Sequence, residues 1–270
     1  MEAARPPRWG RKLALAAGVS FVVGAGAIAI GPAAPWLIDH VADGQRVWRL
    51  GRIQVDGVEG SWLGNLRAAH ISIADDEGVW VEAENVVLHW APFSLLFGDV
   101  NLSSAHAARI AIARQPTLSE ARPGGGGGID VRLTGIKVDQ IDVAEAVAGE
   151  AAQFAAGFEL DLRGHDLRLL VLQLQRLDSE LDRASVLYRP DGDYALDAEI
   201  VSAPGGVMAR LLGFTEEGFA VRALGEGDTQ TGQANYSIDV GIERLLTGQA
   251  GWTPERWQAQ GQAQLDRLEM

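Results

Sequence analysis

From Arg52 onward, the apolar residues fall on alternate positions. Ile53 and Val55 do so, then Ile71 and Ile73, then Val79, Val81 and Ala83, then Val86, Leu88 and Trp90. Val100 and Leu102 continue the pattern, followed by Ile110 and Ile112. Beyond a glycine tract it resumes in Val131 and Leu133, Ile136 and Val138, Ile141 and Val143, and Phe158, Leu160 and Leu162. A period of two sends successive side chains to opposite faces of a strand. Turn-forming pairs punctuate the pattern at Asp56-Gly57, Asp75 to Gly78, Glu84-Asn85 and Gly98-Asp99. Leu167, Leu169, Leu172 and Leu174 predict one further strand. Val186 to Ile200, broken at Arg189-Pro190-Asp191-Gly192, predicts a hairpin. The Ala-rich stretch Ala144 to Ala156 has helix propensity but is read as strand with a turn at Gly149-Glu150, and Val207 to Gly213 as a short amphipathic helix.

The pattern therefore predicts about fifteen strands and almost no helix: an all-β sandwich, barrel or repetitive sheet. A sheet with one apolar face must bury it, and no helix here is long enough to cover it. Either the sheet closes on itself, or it curls into a trough whose apolar face meets a ligand.

The first forty residues follow a different rule. Leu13 to Ile30 is an 18-residue apolar run, and no charge occurs until after Ile38. About 20 helical residues cross the hydrocarbon core of a bilayer. Arg5, Arg8, Arg11 and Lys12 precede the run, and basic residues stay on the cytoplasmic side. The expectation is a cytoplasmic tip over 1–12, a transmembrane signal anchor over 13–38 and an exported body. A cleaved signal peptide, with a small-residue site at Ala25-Gly26-Ala27, is the alternative. Gly24 to Ala29 also matches G-x-G-x-x-A, but a dinucleotide fold needs a strand before it and a helix after it. Here a basic cluster precedes the motif, and Pro32 and Pro35 follow it.

Composition narrows the chemistry. The net charge is -13, with 23 Lys and Arg against 36 Asp and Glu, which argues against nucleic acid as a partner. Cysteine is absent, so disulfides, thiolate metal sites and a Cys nucleophile are excluded. The five histidines, His40, His70, His89, His106 and His165, have no metal-ligand spacing. Ser61 lacks the flanking glycines of a nucleophile elbow. Asp75, Asp76 and Glu77 are read as a solvated turn, with acid–base chemistry or calcium as the alternatives. No catalytic residue, metal or cofactor is expected. Five consecutive glycines within 123–128 end without the Gly-Lys-Ser/Thr of a phosphate loop and predict a linker. It would part a first sheet segment, 45–122, from a second, 129–270.

The residues also carry a resemblance. Val58-Glu59-Gly60-Ser61, Leu66, Ile71 to Asp75, Gly78-Val79-Trp80 and Val86-Val87-Leu88-His89-Trp90 form an ordered series. Pro92, Leu95-Leu96, Gly98 and Ile110 to Arg114 continue it, as do Ala203-Pro204-Gly205-Gly206-Val207 and Leu211-Leu212-Gly213. In this order they resemble the N-terminal region of the TamB family of translocation and assembly module proteins, in the wider AsmA-like group. The resemblance implies an inner-membrane protein with a periplasmic β-taco, an elongated, curled antiparallel sheet with an apolar groove and few short helices. It implies a part in outer-membrane biogenesis through phospholipid transfer, or through outer-membrane protein and autotransporter assembly. The outer-membrane barrel TamA is the implied partner, and no cofactor is implied. A scaffold that offers strand edges to clients, without lipid transport, is the alternative. Family chains are several times longer, so this chain is expected to be an N-terminal piece. The groove candidates are Ile71, Ile73, Val86, Leu88, Trp90, Ile110, Ile112, Val131, Leu133, Phe158, Leu160, Leu162, Leu167, Leu169 and Leu196.

Overall fold

A computed structural model describes residues 45–47, 50–61, 64–91, 93–94, 99–117, 130–164, 166–190, 193–212, 216–228 and 230–264. The basic tip, the anchor over 13–38 and the glycine tract over 123–128 lie outside the described residues. Among the described residues, no helix is long and apolar enough to cross a membrane.

The body is one long, open, curled sheet of fourteen strands in strict sequence order. The strands are β1 (Gln45–Val47), β2 (Gly51–Ser61), β3 (Asn65–Asp75), β4 (Gly78–Trp90), β5 (Asp99–Ile112), β6 (Asp130–Val143) and β7 (Ala152–Arg163). They continue with β8 (Asp166–Arg176), β9 (Asp182–Arg189), β10 (Asp193–Ser202), β11 (Phe219–Asp228), β12 (Gly232–Val240), β13 (Glu243–Thr253) and β14 (Arg256–Ala263). At about 4.8 Å between strands, such a sheet is roughly 65 Å long. Among the described residues two short helices interrupt it, α1 (Glu145–Ala148) and α2 (Val207–Leu212).

The structure corrects several local expectations. Asp56-Gly57 and Glu84-Asn85 are not turns. Gly57 (φ 65°) and Asn85 (φ 51°) are left-handed points inside β2 and β4, which continue through them. Both pairs carry a turn composition, but the strand pairing on either side is strong enough to absorb one left-handed residue. Residues 145–148, expected as strand, form one helical turn that ends at Gly149 in the left-handed conformation. Every neighbouring pair is antiparallel except β5 and β6, which run parallel from Asp99↔Asp130 to Ile112↔Val143. β6 therefore starts at the same end of the sheet as β5. The two expected segments are thus joined edge to edge within a single sheet.

The apolar face is buried unevenly. Side chains from β2 to β7 form one packed cluster that includes Ile53, Ile73, Leu102 and Ile110, each at most 1% exposed. From β8 onward most side chains on this face remain half-exposed. α2 joins the two regimes. Val207 belongs to the large cluster, whereas Ala209 packs with Phe219 and Val240 in a second, smaller one.

A buried charge pair fixes α2. Asp182, fully buried, receives a hydrogen bond from Arg176 at 3.1 Å. It also accepts from the backbone N–H of Val207 (2.9 Å) and of Met208 (3.0 Å), and from the Ser202 hydroxyl. Ser202 Oγ in turn accepts from the Ala209 N–H at 2.8 Å. These bonds satisfy donors that a helix start leaves open. A side chain at Gly206 would collide with both, since its Cβ would lie 2.4 Å from Ser202 Oγ and 2.6 Å from Asp182 Oδ1. Arg176 also binds Asp178 and Glu150, and Glu150 binds Arg210 of α2. Removing one partner of a buried pair strands the other charge away from water. Asp182→Ala is therefore expected to lower unfolding stability by about 3 kcal/mol, and Ser202→Ala by about 1 kcal/mol. Urea midpoints of the two variants check the order, and equal effects would refute the dominance of the carboxylate.

Candidate functional site

Residues directly opposite in neighbouring strands share a face, so the register traces each row of side chains across the sheet. One row runs Leu102, Leu133, Leu160, Leu170, Tyr188, Leu196. A second runs Leu66, Leu88, Ala105, Ile136, Phe158, Leu172, Val186, Ala198, Ala223, Tyr236. A third carries Val86, Ala107, Val138, Ala156, Leu174, Ala184, Ile200, Val221, Ile238 and Leu246. The same apolar band thus crosses from the closed half of the sheet into the open half.

The candidates divide along this band. Ile71, Ile73, Val86, Leu88, Trp90, Ile110, Ile112 and Leu133 are all buried in the packed cluster, none more than 8% exposed. Val131, Phe158 and Leu160 pack against that cluster at its boundary and are partly exposed. Leu162, opposite Val131, and Leu167, opposite Leu162, extend the boundary, and Leu196 lies in the open half. Leu169 sits apart from them. A register shift between Asp161 and Leu162 places it opposite Asp161, on the other face from Leu160. The run Leu169-Leu170-Val171-Leu172 is apolar on both faces, so period two has no phase there, and the shift is invisible in the sequence. Leu170 and Leu172 were missed as floor residues for that reason.

Aromatic residues finish the floor. Tyr194 packs edge-on against Tyr188, with ring centroids 6.2 Å apart, and against Trp252 at 4.5 Å. Tyr194 and Trp252 are linked in register through Gly227 and Gly232, and a Cβ on Gly232 would lie 2.0 Å from the Trp252 ring. Tyr236 lies in the same way over Gly248, where a Cβ would meet its ring at 2.3 Å. Glycine in one strand thus makes room for an aromatic side chain from the next. Desolvation among these rings raises the Tyr194 phenol pKa. The Trp252 indole N–H donates to the Asp228 carbonyl at 3.0 Å.

The opposite face is mainly ionic, although Leu169, Val171, Leu187 and the exposed Leu224 also lie on it. Arg183, Glu199, Arg222, Asp239 and Arg244 form a chain of ion pairs at 2.8–3.3 Å across β9 to β13. Arg109 bridges Glu84 and Asp142, and His106 pairs with Asp139 at 2.7 Å. Two open hollows of about 940 Å³ lie on this face, one beside Lys137, Gln173 and Arg183, the other beside Arg222, Gln249 and Gln260. His70 lies between Asp56 and Glu82, and His89 bonds Ser104, so these histidines sit in separate polar contacts. Among the described residues, no three His, Asp or Glu side chains converge on a metal site.

No protein family, curated protein or solved structure matches the chain.

At the acidic turn Asp76 and Glu77 are exposed as expected, and only Asp75 departs from that reading. Only 4% of the Asp75 side chain is exposed, so it is not solvated. Arg114 binds it through both terminal nitrogens, one at 2.8 Å, and the backbone N–H groups of Thr117 and Glu77 donate to it at 2.7 and 2.8 Å. It anchors the segment that leaves β5 to the β3–β4 turn. The Arg114 hydrogen bonds outweigh burial and, with the two backbone donors, lower the Asp75 pKa to about 2. A carboxylate whose pKa falls on folding adds stability above its unfolded pKa and loses it as pH drops through the folded one. Asp75 thus contributes roughly 2 kcal/mol at neutral pH. The stability gap between the native chain and Asp75→Asn should be of that size at pH 7 and shrink steadily between about pH 4 and pH 2. Urea titrations across that range test this, and a gap independent of pH would refute it.

Proposed function

We propose that the chain shields phospholipid acyl chains along the open half of its apolar face. The observation that carries this reading is the continuity of one apolar band from a buried core over β2–β7 to a half-exposed floor over β8–β13. The band does not end where its burial ends. Each buried CH₂ is worth about 0.8 kcal/mol, so a chain of ~16 carbons costs more than ~10 kcal/mol to hold in water. A continuous apolar floor removes that cost without a catalytic group. On this reading the acyl chain lies over Leu160, Leu170, Leu172, Tyr188 and Leu196. The upstream candidates, already packed, serve as the closed end of the trough.

The wider role follows the resemblance to the TamB family: an inner-membrane anchor over 13–38, a periplasmic body, and phospholipid or outer-membrane protein traffic to the outer membrane, with TamA as partner. The basic residues before Leu13 and the acidic body after it support that orientation. Alkaline phosphatase fused at Gly124 should be active in intact cells, and activity only after lysis would reverse the topology.

Photo-crosslinking tests the trough. A photoreactive amino acid at Leu172, in the exposed part of the band, should capture phospholipid in cells. The same residue at Gln173, one position along on the ionic face, should not. Neither should one at Ile110, which is fully buried. Equal capture at Leu172 and Gln173, or none at Leu172 in a folded sample, would remove the lipid reading.

A further inference from the structure

The apolar band has two unlike ends. Its first row starts in the buried cluster, where Leu102 is fully buried and Leu133 is 5% exposed. It becomes half-exposed at Leu160 and stays so through Leu170, Tyr188 and Leu196. A hydrocarbon chain lying over β8 and β9 therefore meets packed side chains on the β7 side. That end is blind.

The other end is closed differently, by rings. Tyr194 stands two residues before Leu196 on the same face, and register carries its position through Gly227 and Gly232 to Trp252. A Cβ at Gly225 would lie 2.9 Å from the Tyr194 ring, and one at Gly232 would overlap the ring of Trp252. Both rings thus lie down on the sheet over glycine. β10 and β13 are three strands apart, about 14 Å in a flat sheet. Nevertheless the two ring centroids approach to 4.5 Å, and Tyr188 meets Tyr194 from the other side at 6.2 Å. The three rings form a bar across the floor over β9 to β13.

The bar differs in chemistry from the rest of the band. Tyr188 brings a hydroxyl to a row of leucines, and Tyr194 brings a second beside it. The Trp252 indole N–H is held by the Asp228 carbonyl. Tyr and Trp combine an apolar body with a polar tip and gather where hydrocarbon gives way to polar groups. The spacing fits the same boundary. From Tyr194 in β10 to Leu160 in β7 is three strand spacings, about 14 Å. One leaflet's share of the ~30 Å hydrocarbon core of a bilayer is about 15 Å.

We propose that the Tyr188–Tyr194–Trp252 bar holds the ester level of a bound phospholipid. Its acyl chains then run from the bar toward the buried cluster at β7, and its headgroup faces away from that cluster. This rests on the lipid reading above and adds a direction to it. The ligand class is an amphiphile whose hydrogen-bond acceptors, the ester carbonyls, begin where its hydrocarbon ends. A plain hydrocarbon would satisfy the floor and leave the phenol hydroxyls of the bar without a ligand partner.

Two photoreactive phosphatidylcholines test the direction, with the full chain in phosphatidylcholine vesicles. One carries its diazirine next to the ester, the other at the methyl end of the chain, and adducts are mapped by mass spectrometry. The ester-side probe should label Tyr194 and Trp252. The methyl-end probe should label β7 and β8 around Phe158, Leu160 and Leu172. Tyr194→Phe keeps the ring and removes the hydroxyl. It should lower retention of the ester-linked lipid about fivefold, the size of one hydrogen bond, and leave an ether-linked lipid of the same chain length unaffected. Labelling in the reverse order, or of the same peptides by both probes, would overturn the direction while leaving lipid binding in place. Equal losses for the two lipids, or no loss for either, would overturn the role of the bar. No adduct anywhere on β7 to β13 would remove the lipid reading itself, and this proposal with it.

Discussion

Cross-strand register is the constraint on which this molecule depends. A single-layer sheet has no second layer to cover its apolar face, so that face must be continuous and must curl to be hidden. Continuity requires apolar residues to stay opposite apolar residues through thirteen successive pairings. A slip by one residue would exchange the two faces of every strand beyond it. The register shifts that do occur, as between Asp161 and Leu162, are absorbed locally, and the row resumes at Leu170, Tyr188 and Leu196. The ionic chain on the opposite face reinforces the same register, because Glu199 reaches both Arg183 and Arg222, on strands either side of its own.

Much of this fold could be read from alternation alone. The strands around Ile71, Val81, Leu133, Phe158 and Tyr188 lie where period two places them, as does the α2 helix after Pro204-Gly205-Gly206. The failures have local causes. Gly57 and Asn85 have the composition of turns, yet their neighbours pair as strand on both sides. The parallel β5–β6 pair could not be read because alternation carries no direction. In β8, four apolar residues in succession erase the phase, so Leu169 looks like Leu160 in the sequence while lying on the other face.

The division between closed and open halves was not legible at all. Ile110 and Leu196 have the same pattern in the sequence, yet one is fully buried and the other is not. What separates them is that Ile110 lies inside the large buried cluster and Leu196 outside it, a difference set by contacts distant in sequence. The same holds for the acids. Asp75 and Asp182 sit in stretches that look like ordinary turns, and only the fold brings Arg114 to the first and Arg176 to the second. These two buried acids fasten the chain at points where it leaves the sheet.

The parallel pair also has a bearing on how the chain assembles. An antiparallel meander can zip hairpin by hairpin, each step closing only a short loop. The β5–β6 junction is different, because the end of β5 and the start of β6 lie a full strand apart, about 45 Å for fourteen residues. Pairing there waits on closure of the 113–129 segment, with a larger entropy cost than any tight hairpin. The sheet is therefore two antiparallel runs meeting at one parallel seam, and that seam runs through the middle of the buried cluster. Joining the two runs and completing the core therefore draw on the same contacts, because side chains from both sides of the seam belong to one buried cluster.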